Sequence, residues 1–378
     1  MATENQFYSY NSGELPEGCQ LCVRGEKVVL FVTGLCPRRC YFCPVSDQKY
    51  GNDVCYANER AIISDEDLLQ EVEAMDAKGA GITGGDPLMK LDRTVHYIKL
   101  LKEKKGKSFH IHLYTSLNLV TQKGLQQLFD AGLDEIRFHL DFDSTKFWDR
   151  LALARQFSWK IGVELPLIPT KEKELWEIVQ FVHDTVDFLN LNELEVADNS
   201  QSKLGEMGFS TKDTLSYAVE DSLALGKKIL EKAEKEKIVI PIHVCTARLK
   251  DAVQLANRFK REALGLKKPF DVVGEEGELI RGALYLPELA PGFEYRKKLA
   301  AASADDFLPR LEMLVKEIKS KLKFRDEQIF LDKSKLRILV SQKSAKHHTT
   351  FFHRLGLKPA IVVEYPTADQ LEIEVEFV

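Results

Sequence analysis

Between residues 27 and 245 the chain alternates between two hydrophobic patterns, and this alternation is the strongest constraint on its fold. Seven short segments typical of β-strands begin with KVVLFVTG (27–34) and end with IVIPIHVC (238–245), and segments with apolar residues at helical spacing separate them. Such a repeat predicts a parallel sheet with right-handed crossovers, most simply a full or partial βα barrel. In barrels of this kind the functional residues lie at the carboxyl ends of the strands.

The alternation stops at about Lys250. A basic helix, a hairpin around residues 271 to 287 and a helix near 304 to 322 then precede short strands that end in LEIEVEFV. This order predicts a small α+β appendage. The α/β chain is therefore expected to consist of an N-terminal segment with a CxxC motif, a βα barrel and a small basic α+β C-terminal module, which correspond to residues 1–26, 27–265 and 266–378.

The composition and the lack of targeting patterns indicate where the protein is located. Hydrophobic residues make up 44% and charged residues 29% of the 378 positions, as in globular proteins. No stretch approaches the roughly 18 apolar residues of a membrane span, and the polar N-terminus lacks the pattern of a signal peptide. We expect a cytoplasmic protein. In that reducing compartment its seven cysteines are expected to be metal ligands or catalytic thiols rather than disulfide partners.

Three of these cysteines lie within eight residues in CPRRCYFC (36–43), in the loop after the first predicted strand. Three thiolates can hold three irons of a [4Fe-4S] cluster and leave the fourth iron open to an external ligand. A structural zinc site, in contrast, normally closes with four ligands. Cys36, Cys40 and Cys43 are therefore candidate ligands of an iron-sulfur cluster at the mouth of the barrel.

The spacing Cys36-x3-Cys40-x2-Cys43, with an aromatic pair before the last cysteine, resembles that of the radical S-adenosylmethionine (SAM) enzymes. The resemblance implies that the amino and carboxylate groups of SAM chelate the open iron. It also implies that an electron from the cluster cleaves SAM to methionine and a 5′-deoxyadenosyl radical, with ferredoxin or flavodoxin as the electron donor. The resemblance covers about residues 27 to 245 and looks greatest to archaeal proteins grouped loosely with pyruvate formate-lyase activating enzyme.

A glycine turn follows the second predicted strand and supports this resemblance. Gly84, Gly85, Asp86 and Pro87 resemble the family's Gly-Gly-Glu-Pro turn, which meets the SAM amino group. Glycines allow close approach of the backbone to a ligand, and proline fixes the turn. Asp86 is one methylene shorter than Glu but keeps the acceptor charge, so all four residues are expected to bind SAM.

Polar and apolar residues alternate along four of the predicted strands. In FHIHLYTS (109–116), for example, the histidines, the tyrosine and the last serine share one face. We expect the polar faces to point into the barrel and to form a polar cavity. For any single residue a satisfied buried hydrogen bond is an equal alternative. The residues at the strand ends that would surround the cofactor are Ser116, His139, Glu164, Glu193 and Cys245, with Ser116, His139 and Glu164 as candidate SAM-binding residues.

Four cysteines lie outside the three-cysteine motif. If Cys19, Cys22, Cys55 and Cys245 came together, they could hold a second [4Fe-4S] cluster or a structural zinc ion. In a rival interpretation Cys245 alone faces the radical as a catalytic hydrogen donor or covalent carrier. In a third, the four are small buried hydrophobic residues.

Two classes of function are compatible with these patterns. The first is a radical SAM enzyme, an oxidoreductase or transferase that abstracts a hydrogen atom or transfers a group. Basic residues outnumber acidic ones between Leu311 and Leu357, which makes modification of structured RNA such as tRNA or rRNA the leading substrate hypothesis. A small phosphorylated metabolite and a glycyl-radical protein are the alternatives. The second class is a non-catalytic iron-sulfur or zinc protein that binds RNA.

Overall fold

The computed structural model describes residues 3–378. The chain separates into a first unit that ends at Arg258 and a second that runs from Phe259 to Val378. The division falls within the helix Ala256–Leu266, and the predicted boundary at residue 265 lies near the end of that helix. No helix among the described residues is both long and apolar enough to cross a membrane.

Ten strands in the first unit form one sheet. They are β1 (Tyr10–Ser12), β2 (Lys27–Phe31), β3 (Tyr56–Ala57), β4 (Arg60–Ala61), β5 (Gly79–Thr83), β6 (His110–Ser116), β7 (Glu135–His139), β8 (Lys160–Leu167), β9 (Phe188–Glu193) and β10 (Ile242–Cys245). The sheet order is β1-β10-β9-β8-β7-β6-β5-β2-β3-β4. β2 and β5 to β10 are parallel and adjacent in chain order, while β1 and the β3-β4 hairpin are antiparallel at the two edges. The α/β prediction is confirmed, and over residues 3–378 the sheet is an open, partial barrel.

Helices connect the parallel strands. They are α1 (Glu17–Val23), α2 (Asp65–Ala74), α3 (Leu91–Lys105), α4 (Gln122–Ala131), α5 (Glu172–Val182) and α6 (Ser222–Lys235), with 3₁₀ helices at Pro87–Lys90, Trp148–Gln156 and Pro169–Lys171. After β10 come α7 (Ala247–Leu249), a π-helical stretch (Lys250–Leu255) and α8 (Ala256–Leu266). Ser64 and Asp67 form a capping box at the start of α2.

The two faces of the parallel strands have different environments, as their alternation predicts. The apolar residues Ile111 and Leu113 of β6 belong to the large apolar core, together with Leu125 and Leu128 of α4. The intervening polar residues are also buried but hydrogen-bond to one another instead. A parallel strand buries both faces, so its polar residues must find partners within the protein.

Three elements differ in extent from those that the sequence pattern predicts, namely helices over residues 212–235 and 144–156 and a strand over residues 238–245. The helix expected over 212–235 begins only at Ser222, because isolated bridges from Thr211 to Val219 and from Ala218 to Glu195 keep the preceding chain extended. The last strand starts at Ile242 rather than at residue 238, since Pro241 has no amide hydrogen to donate to a neighbouring strand. The helix expected over 144–156 is a 3₁₀ helix from Trp148.

The second unit is an α+β structure around an antiparallel sheet. Its strands are β11 (Val272–Val273), β12 (Leu279–Tyr285), β13 (Ile329–Asp332), β14 (Arg337–Val340), β15 (Lys358–Glu364) and β16 (Glu372–Phe377). The order is β13-β14-β12-β15-β16, with β11 paired to the start of β12. Its helices are α9 (Tyr295–Ala301), α10 (Ala304–Leu322), α11 (Gln342–His347) and α12 (Thr349–Arg354), with 3₁₀ helices at Pro287–Leu289 and Asp326–Gln328.

Candidate active site

The carboxyl ends of the parallel strands surround a cavity of about 790 Å³. It brings together most of the residues that the sequence predicted for the site, although they come from six separate segments of the chain. Charged residues from the ends of β7, β8 and β9 and from the π-helical stretch complete the lining. The predicted residues in its wall are Cys36, Cys40, Cys43, Gly84, Gly85, Ser116, His139, Glu164 and Glu193.

The three cysteines lie in the loop between β2 and β3, called here the cysteine loop (residues 32–55). All three thiols are free and partly buried. Burial raises the pKa of each thiol, that of Cys36 to about 11, and the amide of Arg38, which donates to Cys36 Sγ at 3.4 Å, opposes this shift. Thiols of this kind ionise readily only when a metal or another cation compensates the charge.

A long connection between β9 and α6, called here the strap (residues 194–221), holds the cysteine loop in place. Asn199 Nδ2 donates to the carbonyl oxygens of Cys43 and Val45, both at 3.0 Å. The amide of Lys203 donates to the carbonyl oxygen of Tyr41 at 2.6 Å. The strap therefore fixes the backbone on both sides of the third cysteine.

The glycine turn packs directly against the cysteine loop. A Cβ atom on Gly85 would lie 2.4 Å from the carbonyl oxygen of Leu35, and one on Gly84 would lie 2.5 Å from that of Thr33. The amide of Gly85 donates to Thr33 at 2.7 Å. The two glycines are thus required for close approach to the loop backbone, whereas the sequence suggested close approach to a ligand.

Asp86 is turned away from the cavity and anchors the end of β6. Its carboxylate is 1% exposed and accepts hydrogen bonds from Thr115 Oγ1 and Ser116 Oγ, both at 2.7 Å, and from the amide of Leu88. Burial raises its pKa, although these donors oppose the shift. Asp86 and the following Pro87 begin a 3₁₀ helix and do not line the cavity, so their predicted contact with SAM stays a prediction.

The cavity floor continues into a buried polar network inside the barrel. Arg137, which is 2% exposed, donates to Glu135 Oε1 at 2.6 Å, to Glu164 Oε2 at 2.9 Å and to the hydroxyl of Tyr114 at 3.2 Å. Asn190 Nδ2 also donates to Glu164 Oε2, at 2.8 Å. Glu164 therefore lines the cavity with its oxygens already bound by protein groups.

His139 presents a buried imidazole to the same cavity. Its Nε2 atom has no hydrogen-bond partner among the described residues, and its ring lies 5.8 Å from that of Phe42. Burial lowers the pKa of His139 to about 3, and the nearby Arg38 acts in the same direction. The ring is consequently neutral at physiological pH, with one nitrogen available to a ligand.

Sequence comparison identifies the family. Residues 30–182 match the model of the radical SAM superfamily. A protein of Methanocaldococcus jannaschii, named as a candidate glycyl-radical enzyme activating enzyme, is 34% identical over 379 aligned residues, which cover 98% of this chain and 94% of that protein. The chain belongs to the radical SAM superfamily. Radical SAM enzymes use a [4Fe-4S] cluster and SAM, as the cysteine motif indicated.

More distant radical SAM proteins match only part of the chain. The GTP 3′,8-cyclase of Lactiplantibacillus plantarum is 26% identical over 178 residues, which cover 43% of this chain and 51% of that protein. Among solved structures, HydG, a maturase of the [FeFe]-hydrogenase, has a TM-score of 0.40 at 13% identity and covers 67% of this chain and 69% of its own. These similarities do not distinguish one substrate from another.

The residues present fit the radical SAM cofactors. Cys36, Cys40 and Cys43 supply three soft donors to one cavity, and none is engaged in a disulfide. Within residues 3–378 no group of three Cys, His, Asp or Glu side chains is arranged to hold a metal ion, so the fit of these cysteines rests on their chemistry and on the cavity that they share. Three thiols around an open cavity, with the unpartnered nitrogen of His139 in the same wall, match a cluster that shares its coordination with a second ligand.

The second metal site is not assembled in the structure. Cys19 Sγ lies 4.0 Å from Asn190 Oδ1 in the barrel interior, whereas Cys55 Sγ lies 3.9 Å from the hydroxyl of Tyr97 in α3. Cys22 lies in α1, three residues after Cys19. Cys19 and Cys55 thus contact different elements, and a second cluster or zinc ion held by Cys19, Cys22, Cys55 and Cys245 stays a prediction.

Cys245 lies at the end of β10 but does not line the cavity. It packs in a small apolar cluster with Val23 and Leu249 and is 6% exposed. Burial raises the pKa of the Cys245 thiol to about 12, against the opposing effect of Lys250. Its role as a hydrogen donor or covalent carrier stays a prediction, and its surroundings are those of a buried structural cysteine.

The sequence pattern does not single out several residues that the structure adds to the site. Lys250 and Glu195 form an ion pair in the cavity wall, and Tyr217 of the strap lies beside them. Lys250 starts a π-helical stretch, a feature that is frequent at functional sites. In the sequence, residues 197–211 of the strap are recognisable only as a long polar loop. Long loops in compact domains are often functional.

Proposed function

We propose that the protein activates a partner protein by abstracting a hydrogen atom from a glycine Cα. The similarity over nearly the whole chain to a candidate glycyl-radical enzyme activating enzyme supports this function. When bound, the cluster and SAM supply a 5′-deoxyadenosyl radical at the cost of one electron from a reductant, and this radical takes the hydrogen atom to give 5′-deoxyadenosine and a glycyl radical. The chain itself must admit the glycine, hold it beside the cofactors and exclude water.

Three of the four cations in the cavity wall are paired with carboxylates, and this pairing is the observation that carries the choice of an uncharged peptide segment as substrate. A phosphate group requires unpaired cations, usually arginine or lysine, whereas an uncharged peptide segment does not. Lys49, a further cation of the wall, lies 4.3 Å above the ring of Tyr56. The other three cations of the wall have carboxylate partners, so they are not free to bind a phosphate group. The pairs are Arg137 with Glu164, Lys250 with Glu195, and Arg38 with Asp141.

The second unit does not strengthen the RNA hypothesis. Lys319 pairs with Asp326, and Arg325 pairs with Glu327 at 3.1 Å, so part of the predicted basic cluster is neutralised locally. The aromatic residues Phe324, Phe351 and Phe352 belong to the apolar core of this unit rather than to a stacking surface. RNA modification is therefore retained only as an outcome of the test below.

Deuterium transfer tests the proposed hydrogen abstraction. The protein is reconstituted with iron and sulfide under anaerobic conditions and is given SAM, dithionite and an extract of its native cells grown on [2-²H₂]glycine. We expect monodeuterated 5′-deoxyadenosine, because the abstracted atom comes from the glycine Cα. The variant in which Cys36, Cys40 and Cys43 are all replaced by Ala should form none.

Pretreatment of the extract separates the substrate classes. Protease should abolish the deuterium transfer, while ribonuclease should leave it unchanged. Transfer that is lost with ribonuclease and survives protease would identify RNA as the substrate and overturn the proposal. Transfer that survives both treatments would identify a small metabolite, with the same consequence.

A further inference from the structure

The sheet of the second unit buries a network of charged side chains on one face. Arg337 of β14 has no exposed surface and donates to Asp332 Oδ2 at 2.9 Å and to Glu364 Oε2 at 2.7 Å. Arg281 of β12 is 3% exposed, donates to Glu364 Oε1 at 3.0 Å and also pairs with Asp271. Burying so many charges gives little net stability, so such networks often mark a functional site.

The opposite face of the same sheet is apolar. Ile338 and Val340 alternate with Arg337 along β14 and belong to the core that packs against α10 and α12. Alternation in a strand places Arg337 and Leu339 on the other face. The charged network is thus confined to one side of the sheet.

A cavity of about 440 Å³ opens onto this network. Its wall combines apolar side chains, among them the exposed ring of Phe330, with polar ones that include members of the network. It lies within the second unit and is separate from the cysteine-lined cavity. Its lining residues include Leu266, Lys268, Arg281, Phe330, Asp332 and Lys333.

The polar groups of this cavity favour an anion. Lys268 and Lys333 are cations without a carboxylate partner among the described residues, whereas Arg281 is paired with Glu364 and Asp271 and the lining carboxylate Asp332 is paired with Arg337. Arg281 Nε is buried and has no hydrogen-bond acceptor among the described residues. Unpartnered buried donors are rare and costly in proteins, and a bound acceptor would remove that cost.

We propose that this cavity binds a small organic anion, namely a carboxylate or phosphate attached to an apolar or aromatic group. Arg281 and the two lysines bind the anionic group, and Phe330 and Leu339 contact the apolar part. Lys268 Nζ already lies 4.0 Å above the ring of Phe330, so an aromatic ligand would enter a wall that combines a flat apolar surface with positive charge. The site is independent of the proposed radical reaction.

Fluorine NMR on the full chain tests the proposal with two probes, 4-fluorobenzoate and 4-fluorophenyl phosphate. An excess of S-adenosylhomocysteine is present throughout to compete for the first-unit cavity. We expect the protein to broaden the fluorine resonance of at least one probe. The probe that is broadened more shows whether the site prefers a carboxylate or a phosphate. Unlabelled benzoate or phenyl phosphate should reverse the broadening.

Variants locate the site. The double variant Lys268→Ala and Lys333→Ala changes only rim residues and should weaken binding about fivefold or more, whereas Arg281→Lys should weaken it further. The control double variant Lys297→Ala and Lys298→Ala, on α9 in the same unit, should bind as the wild type does. The absence of broadening with both probes, or unchanged binding by the rim variant, would overturn the proposal even if the Arg281 variant does not fold.

Discussion

Each unit of the protein buries one strand arginine between two carboxylates and a tyrosine hydroxyl. In the first unit Arg137 contacts Glu135, Glu164 and Tyr114, and in the second unit Arg337 contacts Asp332, Glu364 and Tyr285. The surroundings of the two arginines differ. Arg137 forms part of the floor of the cysteine-lined cavity, whereas Arg337 lies behind the wall of the smaller cavity and reaches it only through Asp332 and its neighbours. Similar hydrogen bonding thus supports a reaction chamber in one unit and a rigid sheet in the other.

Replacing either arginine should give the largest effect. Arg137→Met removes the cation from Glu135 and Glu164, and Arg337→Met removes it from Asp332 and leaves Glu364 paired with Arg281 alone, so each should lower the free energy of unfolding of its unit by about 3 to 5 kcal/mol. Hydrogen exchange with mass spectrometry measures each unit on its own peptides. Arg24→Met, in a pair with Glu26 in which Arg24 is 51% exposed, should change stability by less than about 1 kcal/mol. An effect of similar size in the control would contradict this assignment.

Mild acid should destabilise the first unit through its buried histidines. Burial lowers the pKa of His110 and of His139 to about 3 and that of His243 to about 4, whereas an unfolded histidine titrates near 6.5. Between about pH 6.5 and 4 the unfolded chain therefore binds more protons than the folded one, and stability falls as pH falls. We expect a loss of roughly 1 kcal/mol per buried histidine between pH 7.5 and 5.5.

Tryptophan fluorescence during urea denaturation measures this effect in the first unit, because Trp148, Trp159 and Trp176 are the three tryptophans of the chain. In the variant His139→Gln about one proton fewer should be taken up on unfolding, so the free energy of unfolding should depend less on pH. A first unit that is equally stable at pH 7.5 and 5.5 would show that the imidazoles become charged without loss of packing.

Adding one methyl group tests how closely α1 approaches the Arg137 network. A Cβ on Gly18 would lie 2.5 Å from Arg137 Nη2 and 2.7 Å from His112 Nδ1. Gly18→Ala should therefore destabilise the first unit by about 1 to 3 kcal/mol in urea denaturation, even after the helix propensity gained with alanine. Gly205→Ala is the control, since no atom lies within 4 Å of its Cβ position. Equal stability of the two variants would mean that α1 can move away from the network.

Loosening the strap should give the smallest change in stability but a distinct change at the cysteine loop. Asn199→Ala removes the donors to Cys43 and Val45 and the acceptor for the amide of Ser202, whereas Asn199→Asp removes only the donors. In the metal-free protein we expect trypsin to cleave after Arg39 about fivefold faster in both variants, because each hydrogen bond contributes about 1 kcal/mol.

After reconstitution the same two variants should lose iron to a chelator faster than the wild type. Asp198→Ala, at the exposed neighbouring position, should behave as the wild type does in both measurements. If trypsin cleaved Asn199→Ala faster than Asn199→Asp, the turn within the strap would restrain the cysteine loop, and the hydrogen bonds to Cys43 and Val45 would not.

The sequence determined the fold of the first unit and the candidate cofactor-binding cysteines, because both depend on short-range patterns. Strand and helix periodicity is local, and Cys36, Cys40 and Cys43 lie within eight residues. The alternation of polar and apolar residues also predicted that the polar faces of four strands point into the barrel and form a polar cavity. These features require no knowledge of distant contacts.

Only the tertiary structure decided how the site residues are used. Asp86 is directed to Ser116 rather than to the cavity, and Asn199 reaches Cys43 across more than a hundred residues of chain. In the same way, Arg281 and Glu364 pair only because β12 and β15 are neighbours in the second sheet. Such contacts depend on which segments the fold brings together, and residue spacing along the chain carries no information about them.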